Sequence, residues 1–296
     1  MKKALIFGSS GQDGYYLDLL LKSKKISTIN ISRSRGEFIG SVGDFKFVSD
    51  LVKKHLPDYI FHFAADSTTR HGATLDNNCS ISTGAINILE SVTLHSPFTK
   101  IFISGSALQF KNIKLPIDEN TSFDFSSSYA ISRNYSVQMA RYYRQKFNIN
   151  VYIGYFFNHD SPLRSENHIN QKIVAHVVKV LNGSKEKLLI GNLEVQKEFN
   201  FAGDIVEAVW ILLNQDEIFE VVLGNGKPYM IKDWVNYCFS KYSLKWENYI
   251  IKDESYKSEY EVLVSNPITI KKLGWTPKIN FIELADLMLE AELKKH

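Results

Sequence analysis

Tyr129 and Arg133 are the residues of this 296-residue chain whose types and spacing best suit proton transfer. They stand in the run Ser126-Ser127-Ser128-Tyr129-Ala130-Ile131-Ser132-Arg133-Asn134-Tyr135, and helical character continues to about Phe147. Residues four apart on a helix share a face, so the two side chains project together. A fixed cation beside a phenol favours the phenolate, which suits the group to act as acid or base in hydride chemistry. A Tyr/Arg pair at this spacing is common on helix surfaces. Two other stretches set this one apart. A strand-like run ends in Ser104-Gly105-Ser106 about 25 residues earlier, and Gly8, Gly11 and Gly14 punctuate the N-terminus.

Those three glycines lie between the apolar run Ala4–Phe7 and an amphipathic run, Tyr15–Leu21. Gly8 suits a sharp turn, Gly11 a close approach of pyrophosphate to the backbone, and Gly14 tight packing of helix on strand. The N–H groups that open the helix, at the positive end of its dipole, then face phosphates. Three glycines also make an ordinary strand-to-helix turn. Their place between a β-type and a helical run favours a dinucleotide site. Downstream, Ile26–Ile31 alternates like a strand and runs into Ser32-Arg33-Ser34-Arg35-Gly36. An acidic residue at this point holds the ribose 2′-hydroxyl of NAD, whereas arginines suit the 2′-phosphate of NADP. Arg33 and Arg35 therefore favour NADP(H) over NAD(H).

Val42-Gly43-Asp44-Phe45 reads as a strand end whose Asp44 accepts from the adenine amino group, and Asp50–His55 as a helix. Tyr59–Ala65 has the continuous apolar character of a central parallel strand. His62 within it reads as a packing residue. A helix is expected from about Ser80 to His95 and a strand over Lys100–Ser104. Such alternation predicts an α/β fold with a doubly wound parallel sheet, ligands lying at the carboxyl ends of its strands. Gly8, Arg33, Asp44, Ala64, Ala65 and Ser104 all fall there.

The composition is that of a globular protein, 44% hydrophobic and 23% charged, and a formal charge of +3 is too small to argue for nucleic acid. Cys79 and Cys238 form neither a disulfide framework nor a metal spacing. The apolar run after Met1-Lys2-Lys3 is too short for a signal peptide, and no run suits a membrane span. A cytoplasmic protein without metal is expected.

Further segments follow in order: Gly11-Gln12-Asp13-Gly14-x-Tyr16-Leu17, Phe157-Asn158-His159-Asp160-Ser161-Pro162, Lys172-Ile173, Gly191-Asn192-Leu193, Asp204-Ile205-Val206-Glu207-Ala208-Val209-Trp210 and Lys272-Leu273-Gly274-Trp275-x-Pro277. Together with the glycine turn and Tyr129 they resemble the extended short-chain dehydrogenase/reductases, and among these the GDP-mannose 4,6-dehydratases. The resemblance implies a Rossmann domain over 1–158, with return segments at about 196–225. A smaller nucleotide-sugar-binding domain would span 159–195 and 226–296. It places Gly8, Gly11, Gln12, Asp13, Gly14, Arg33, Arg35, Asp44, Phe45, Ala64, Ala65, Tyr129 and Arg133 at the cofactor. Asn158, Lys172, Lys197 and Glu259 fall on the nucleotide sugar. It also implies a homodimer or homotetramer paired through the helix that carries Tyr129, where Met139, Tyr142 and Tyr143 serve either that contact or the chain's own core.

In that family the tyrosine takes the C4 hydroxyl proton while hydride leaves C4, and a glutamate then removes the C5 proton so that water departs from C6. A Thr or Ser orients the C4 oxygen, and a Lys that follows the Tyr by four lowers its pKa and holds the nicotinamide ribose. This chain keeps the tyrosine but has Arg133 at the lysine, Gly105 at the threonine and Ala107 at the glutamate, with hydroxyls only at Ser104 and Ser106. A diphosphate-facing arginine is Lys197, and the arginine before Glu259 is Tyr256, beside Lys257. Arg133 keeps the charge but stays protonated. Ala107 accepts no proton, so elimination suffers more than redox chemistry; Asp66 and Glu119 are candidate replacements. The expectation is an NADP(H)-dependent oxidoreductase acting at C4 of a GDP-linked sugar, as a 4-keto-6-deoxyhexose reductase. The alternatives are a dehydratase with a rearranged acid/base set and a catalytically silent chain that still binds cofactor and sugar nucleotide.

Overall fold

The computed structural model describes residues 1–65, 68–256 and 258–295. Asp66 and Lys257 lie outside the described residues. Six strands come first: β1 (Lys3–Phe7), β2 (Ser27–Ser32), β3 (Phe38–Ile39), β4 (Tyr59–His62), β5 (Lys100–Ser106) and β6 (Val151–Phe156). The chain then makes β7 (His159–Asp160), β8 (Leu188–Ile190), β9 (Gln196–Glu198) and β10 (Asn200–Phe201), and returns to the first sheet at β11 (Glu220–Leu223). β12 (Pro228–Met230), β13 (Ile250–Lys252) and β14 (Val262–Leu263) follow. The large sheet runs β3-β2-β1-β4-β5-β6-β11 with every pair parallel. The strand order reverses between β1 and β4, which opens a crevice at their carboxyl ends.

Burial on both faces explains the unbroken apolar runs of β1 and β4. On one face, α2 (Phe45–His55), α4 (Gly84–His95) and α5 (Ser128–Phe147) bury Val48, Leu51, Ala85, Ile88 and Val137. On the other, α1 (Gln12–Ser23) and α7 (Ala202–Leu213) bury Leu17, Leu21, Ile205 and Val209. A separate core gathers α6 (Ile169–Leu181), α8 (Ile231–Ser240) and, after the short α9 (Ile268–Lys272), α10 (Phe281–Leu293) around Trp234, Phe199 and Met288. β9 lies between β12 and β14 in a three-stranded sheet. No helix among the described residues is long and apolar enough to cross a membrane.

Two local expectations are corrected. Residues 42–45 form no strand end. Asp44 caps α2, its carboxylate accepting from the Phe47 N–H at 3.2 Å, and the apolar side chains at 48, 51 and 52 continue that helix's buried face. Helical backbone also begins well before Ser80, at α3 (Thr74–Asn77), and a π turn over Asn78–Thr83 carries it into α4.

Candidate active site

The crevice is a cleft of about 280 Å³ lined by Gly8, Gly11, Gln12, Asp13, Gly14, Arg33, Ser34, Ala64 and Ala65. Gly8 has φ +91°, and a Cβ there would sit 2.7 Å from the Ala64 nitrogen. A Cβ on Gly14 would meet Ser9 Cα at 2.5 Å. At Gly11 it would find only the Gly8 carbonyl oxygen, at 3.5 Å. Gly8 and Gly14 therefore serve the turn itself, while Gly11 leaves the backbone open to the cleft. No side chain caps the start of α1, so its first N–H groups are left for an anion. Arg33 borders the cleft. Arg35 is exposed and does not line it; its N–H instead donates to the Ser32 hydroxyl at 2.8 Å. Asp44 and Phe45 are likewise exposed and absent from the cleft wall.

The side chains of Gln12 and Asp13 turn toward the Asn158–Pro162 run. Gln12 Nε2 donates to the His159 carbonyl at 3.1 Å, and the Ser161 hydroxyl donates to Gln12 Oε1 at 2.9 Å. His159 Nε2 lies 2.9 Å from Asp13 Oδ1. Burial works to raise the Asp13 carboxyl, but the charge and hydrogen bond of His159, with Arg164 and Arg133 farther off, hold it below its ordinary value. Burial works to lower His159, and Asp13 holds it above its ordinary value. Arg164 borders the same cleft, with Nε 3.2 Å from Asp160 Oδ1. Arg164 was missed in the sequence; its position two residues past the Asn-His-Asp-Ser-Pro run is the signal that points to it. Cys79, Ser80 and Asp76 also line the cleft, from helical turns whose register the sequence hides.

Tyr129 and Arg133, each about 5–6% exposed, meet as their spacing predicts: Arg133 Nε donates to the Tyr129 hydroxyl at 3.2 Å. Arg133 Nη1 also donates to the carbonyl oxygen and, at 2.9 Å, to the hydroxyl of Ser104. The Ser104 hydroxyl donates in turn to the His62 carbonyl at 2.9 Å. His62 itself is buried, and burial, then the Arg133 charge, push its imidazole down to about 4. Ser106 caps the turn Ala107–Gln109, its hydroxyl accepting from the Leu108 N–H at 3.2 Å. Both serine hydroxyls are thus engaged in holding the end of β5. Ala107 is 1% exposed, within the core. Glu119 is occupied elsewhere, accepting from the Val222 N–H at 2.9 Å and the Thr269 hydroxyl at 3.1 Å.

Among the expected substrate residues, Lys197 is buried, its ammonium 5.2 Å from the centre of the Phe199 ring. Burial lowers it to about 8, with Asp160 working against that and Arg164 with it. Asn158 Oδ1 accepts from the Tyr260 hydroxyl at 3.4 Å. Lys172 is exposed on α6, and the exposed Glu259 accepts from the Thr69 hydroxyl. On α5, Ile131, Tyr135 and Tyr142 are exposed, whereas Tyr143 is buried and donates to Glu90. No group of three or more His, Cys, Asp or Glu among the described residues is placed to hold a metal ion.

The sequence model described as GDP-mannose 4,6 dehydratase matches residues 5–288. GDP-mannose 4,6 dehydratase 1 of Arabidopsis thaliana is 27% identical over 325 residues, covering 99% of this chain and 90% of the relative. GDP-mannose 4,6 dehydratase 2 of Caenorhabditis elegans is 28% identical over 341 residues, covering 99% and 89%. Among solved structures, RMD from Pseudomonas aeruginosa complexed with NADPH superposes with a TM-score of 0.88 at 17% identity, covering all of both chains. UDP-glucose 4-epimerase of Thermus thermophilus in complex with NAD superposes with a TM-score of 0.86 at 15% identity, covering 98% of each chain.

Proposed function

We propose a reaction for this chain from one premise: it belongs to the GDP-mannose 4,6-dehydratase family, whose sequence model spans residues 5–288. The reaction is reduction at C4 of a nucleotide-linked 4-keto-6-deoxyhexose, with NADP(H) as cofactor and GDP as the nucleotide. The observation that carries it is the uneven state of the acid/base set. Tyr129 keeps its hydroxyl on a buried cation, while position 107 holds a core alanine and Glu119 is spent on Val222 and Thr269.

A dinucleotide fits the residues present. The uncapped start of α1 and the open backbone at Gly11 suit a pyrophosphate, and Arg33 and Arg164 stand at the same cleft as cations. When bound, the reduced cofactor supplies hydride. Arg33 in the cleft, and the NADPH carried by one structural neighbour, favour NADP(H); another neighbour carries NAD. Tyr129 donates its hydroxyl proton to the C4 oxygen, and Arg133 stabilises the phenolate left behind. Arg133 has no proton to pass on, so the tyrosine regains its own from water. Lys197 and Lys172 offset the diphosphate charge. Exposed Ile131, Tyr135 and Tyr142 on α5 support pairing in a homodimer or homotetramer, for which light scattering is expected to give two or four times the 33.9 kDa chain mass.

Incubation with NADPH and a GDP-4-keto-6-deoxyhexose tests the reaction. NADPH is expected to be consumed, and Tyr129→Phe to slow that by about 10²-fold or more. Loss of one water from GDP-mannose without net use of cofactor would instead assign a dehydratase. Silence toward every such ketosugar in both proteins removes the reductase reading.

A further inference from the structure

Glu198 is fully buried, and three separate stretches of chain bring donors to its carboxylate. Oε1 accepts from the Ser265 N–H at 2.6 Å and from the Ser265 hydroxyl at 2.5 Å. Oε2 accepts from the Asn225 N–H at 2.6 Å and from Asn200 Nδ2 at 3.0 Å. A carboxylate taken out of water is costly unless its oxygens are met, and here four uncharged donors meet them. The arrangement leaves no spare room. A Cβ on Gly224 would lie 2.4 Å from Glu198 Oε2 and 2.6 Å from the Ser265 hydroxyl.

The donors come from key places. Asn225 lies two residues past β11 of the large sheet, Ser265 two past β14, and Asn200 opens β10 before α7. The Asn200 Nδ2 also donates to the Asn158 carbonyl at 2.8 Å, so the carboxylate and Asn158 share one amide. Lys197 is the preceding residue on β9, and strand alternation turns it to the opposite face from Glu198. One buried carboxylate thus stands next to Lys197 on β9, shares an amide with the Asn158 carbonyl, and ties the strand that carries Lys197 to the end of the large sheet.

We infer that Glu198 is the positioning residue for the proposed nucleotide-sugar ligands, holding Lys197 and Asn158 in place across the junction between the large sheet and β9. The inference rests on the reading above of those two residues as nucleotide-sugar ligands.

Calorimetric titration of the full chain with GDP and, separately, NADPH tests it. Glu198→Gln turns an amide donor toward N–H groups that now donate to it. GDP is expected to bind about tenfold more weakly, with NADPH unchanged within about twofold and unfolding still cooperative. Ser265→Ala, which removes one donor of the four, is the second variant, with a loss of about threefold for GDP only. Lys197→Ala is the reference. If Glu198 acts through Lys197, adding Glu198→Gln to Lys197→Ala weakens GDP binding by clearly less than it does alone. Unchanged GDP affinity in Glu198→Gln, or in Ser265→Ala should the first variant not fold, overturns the positioning role and leaves the substrate reading intact. Full additivity with Lys197→Ala, or equal weakening of NADPH, also overturns it. A wild-type chain that binds none of GDP, UDP and dTDP removes the substrate reading, and the inference falls with it.

Discussion

His159 Nε2 lies 2.9 Å from Asp13 Oδ1, which joins the glycine turn to a segment 146 residues away. Asp13 is held below its ordinary value and His159 above it, in each case by the partner working against burial. The carboxyl's share of stability is present above its unfolded value, about pH 4, and is lost as pH falls through the folded one. The imidazole's share is full below about pH 6.5 and is lost as pH rises through its raised value. Asp13→Asn is therefore expected to cost most between about pH 4 and 6.5, roughly 3 kcal/mol in chemical unfolding, and less at about pH 9. In the same variant His159 should titrate below its ordinary value by NMR, because burial and Arg164 remain. A cost that is flat from about pH 5 to 9 contradicts the pairing.

Arg133→Lys keeps a cation beside Tyr129 but gives up the fork that reaches Ser104. Ketosugar reduction is expected to fall by about tenfold in that variant and by about 10²-fold or more in Arg133→Met. Steady-state NADPH oxidation measures both. A Met variant at the wild-type rate would take Arg133 out of the reaction.

Gly105 does not leave room for a threonine. It is the register partner of Tyr155 across β5 and β6, and a Cβ there would lie 2.6 Å from Tyr155 Cδ1 and 2.9 Å from Gln109 Oε1. Tyr155 is fully buried, and its hydroxyl is held by Glu220 at 2.7 Å. Gly105→Thr alone should destabilise by about 2 kcal/mol through overpacking, seen as a lower denaturant midpoint. Adding Tyr155→Ile should recover part of that loss. If Gly105→Thr leaves the midpoint unchanged, the space is not closed.

The glycine turn was legible because the φ of +91° at Gly8 favours glycine, and the sheet because strands buried on both faces leave unbroken apolar runs. Tyr129 and Arg133 were legible because one helix sets their geometry. The rest depends on contacts between distant segments. Nothing near Ser104 or Ser106 in sequence tells that Arg133, the His62 carbonyl and the Leu108 N–H occupy their hydroxyls. The sequence suggests a strand end at Asp44 because an N-cap rests on one local hydrogen bond that an aspartate makes equally in a loop. Tyr155 fills the space beside Gly105 from fifty residues downstream, a contact that nothing near Gly105 in sequence foretells.

Lys197 supplies a test that an arginine at the same place would not. Burial lowers its ammonium to about 8 from an ordinary 10.5, and a lysine attracts a diphosphate only while protonated. GDP affinity should therefore be nearly level between about pH 7 and 7.5 and weaken about tenfold by about pH 9 in calorimetric titrations. Lys197→Arg stays charged over that range, so its affinity should be nearly flat. The linkage to folding has the matching sign. The unfolded chain binds the lysine proton more tightly than the empty folded protein does, so stability should rise with pH between about 8 and 10.5 in wild type, and this rise should be absent in Lys197→Met. Wild-type GDP affinity that stays level through pH 9 would place the diphosphate away from Lys197, whatever the outcome for the cofactor.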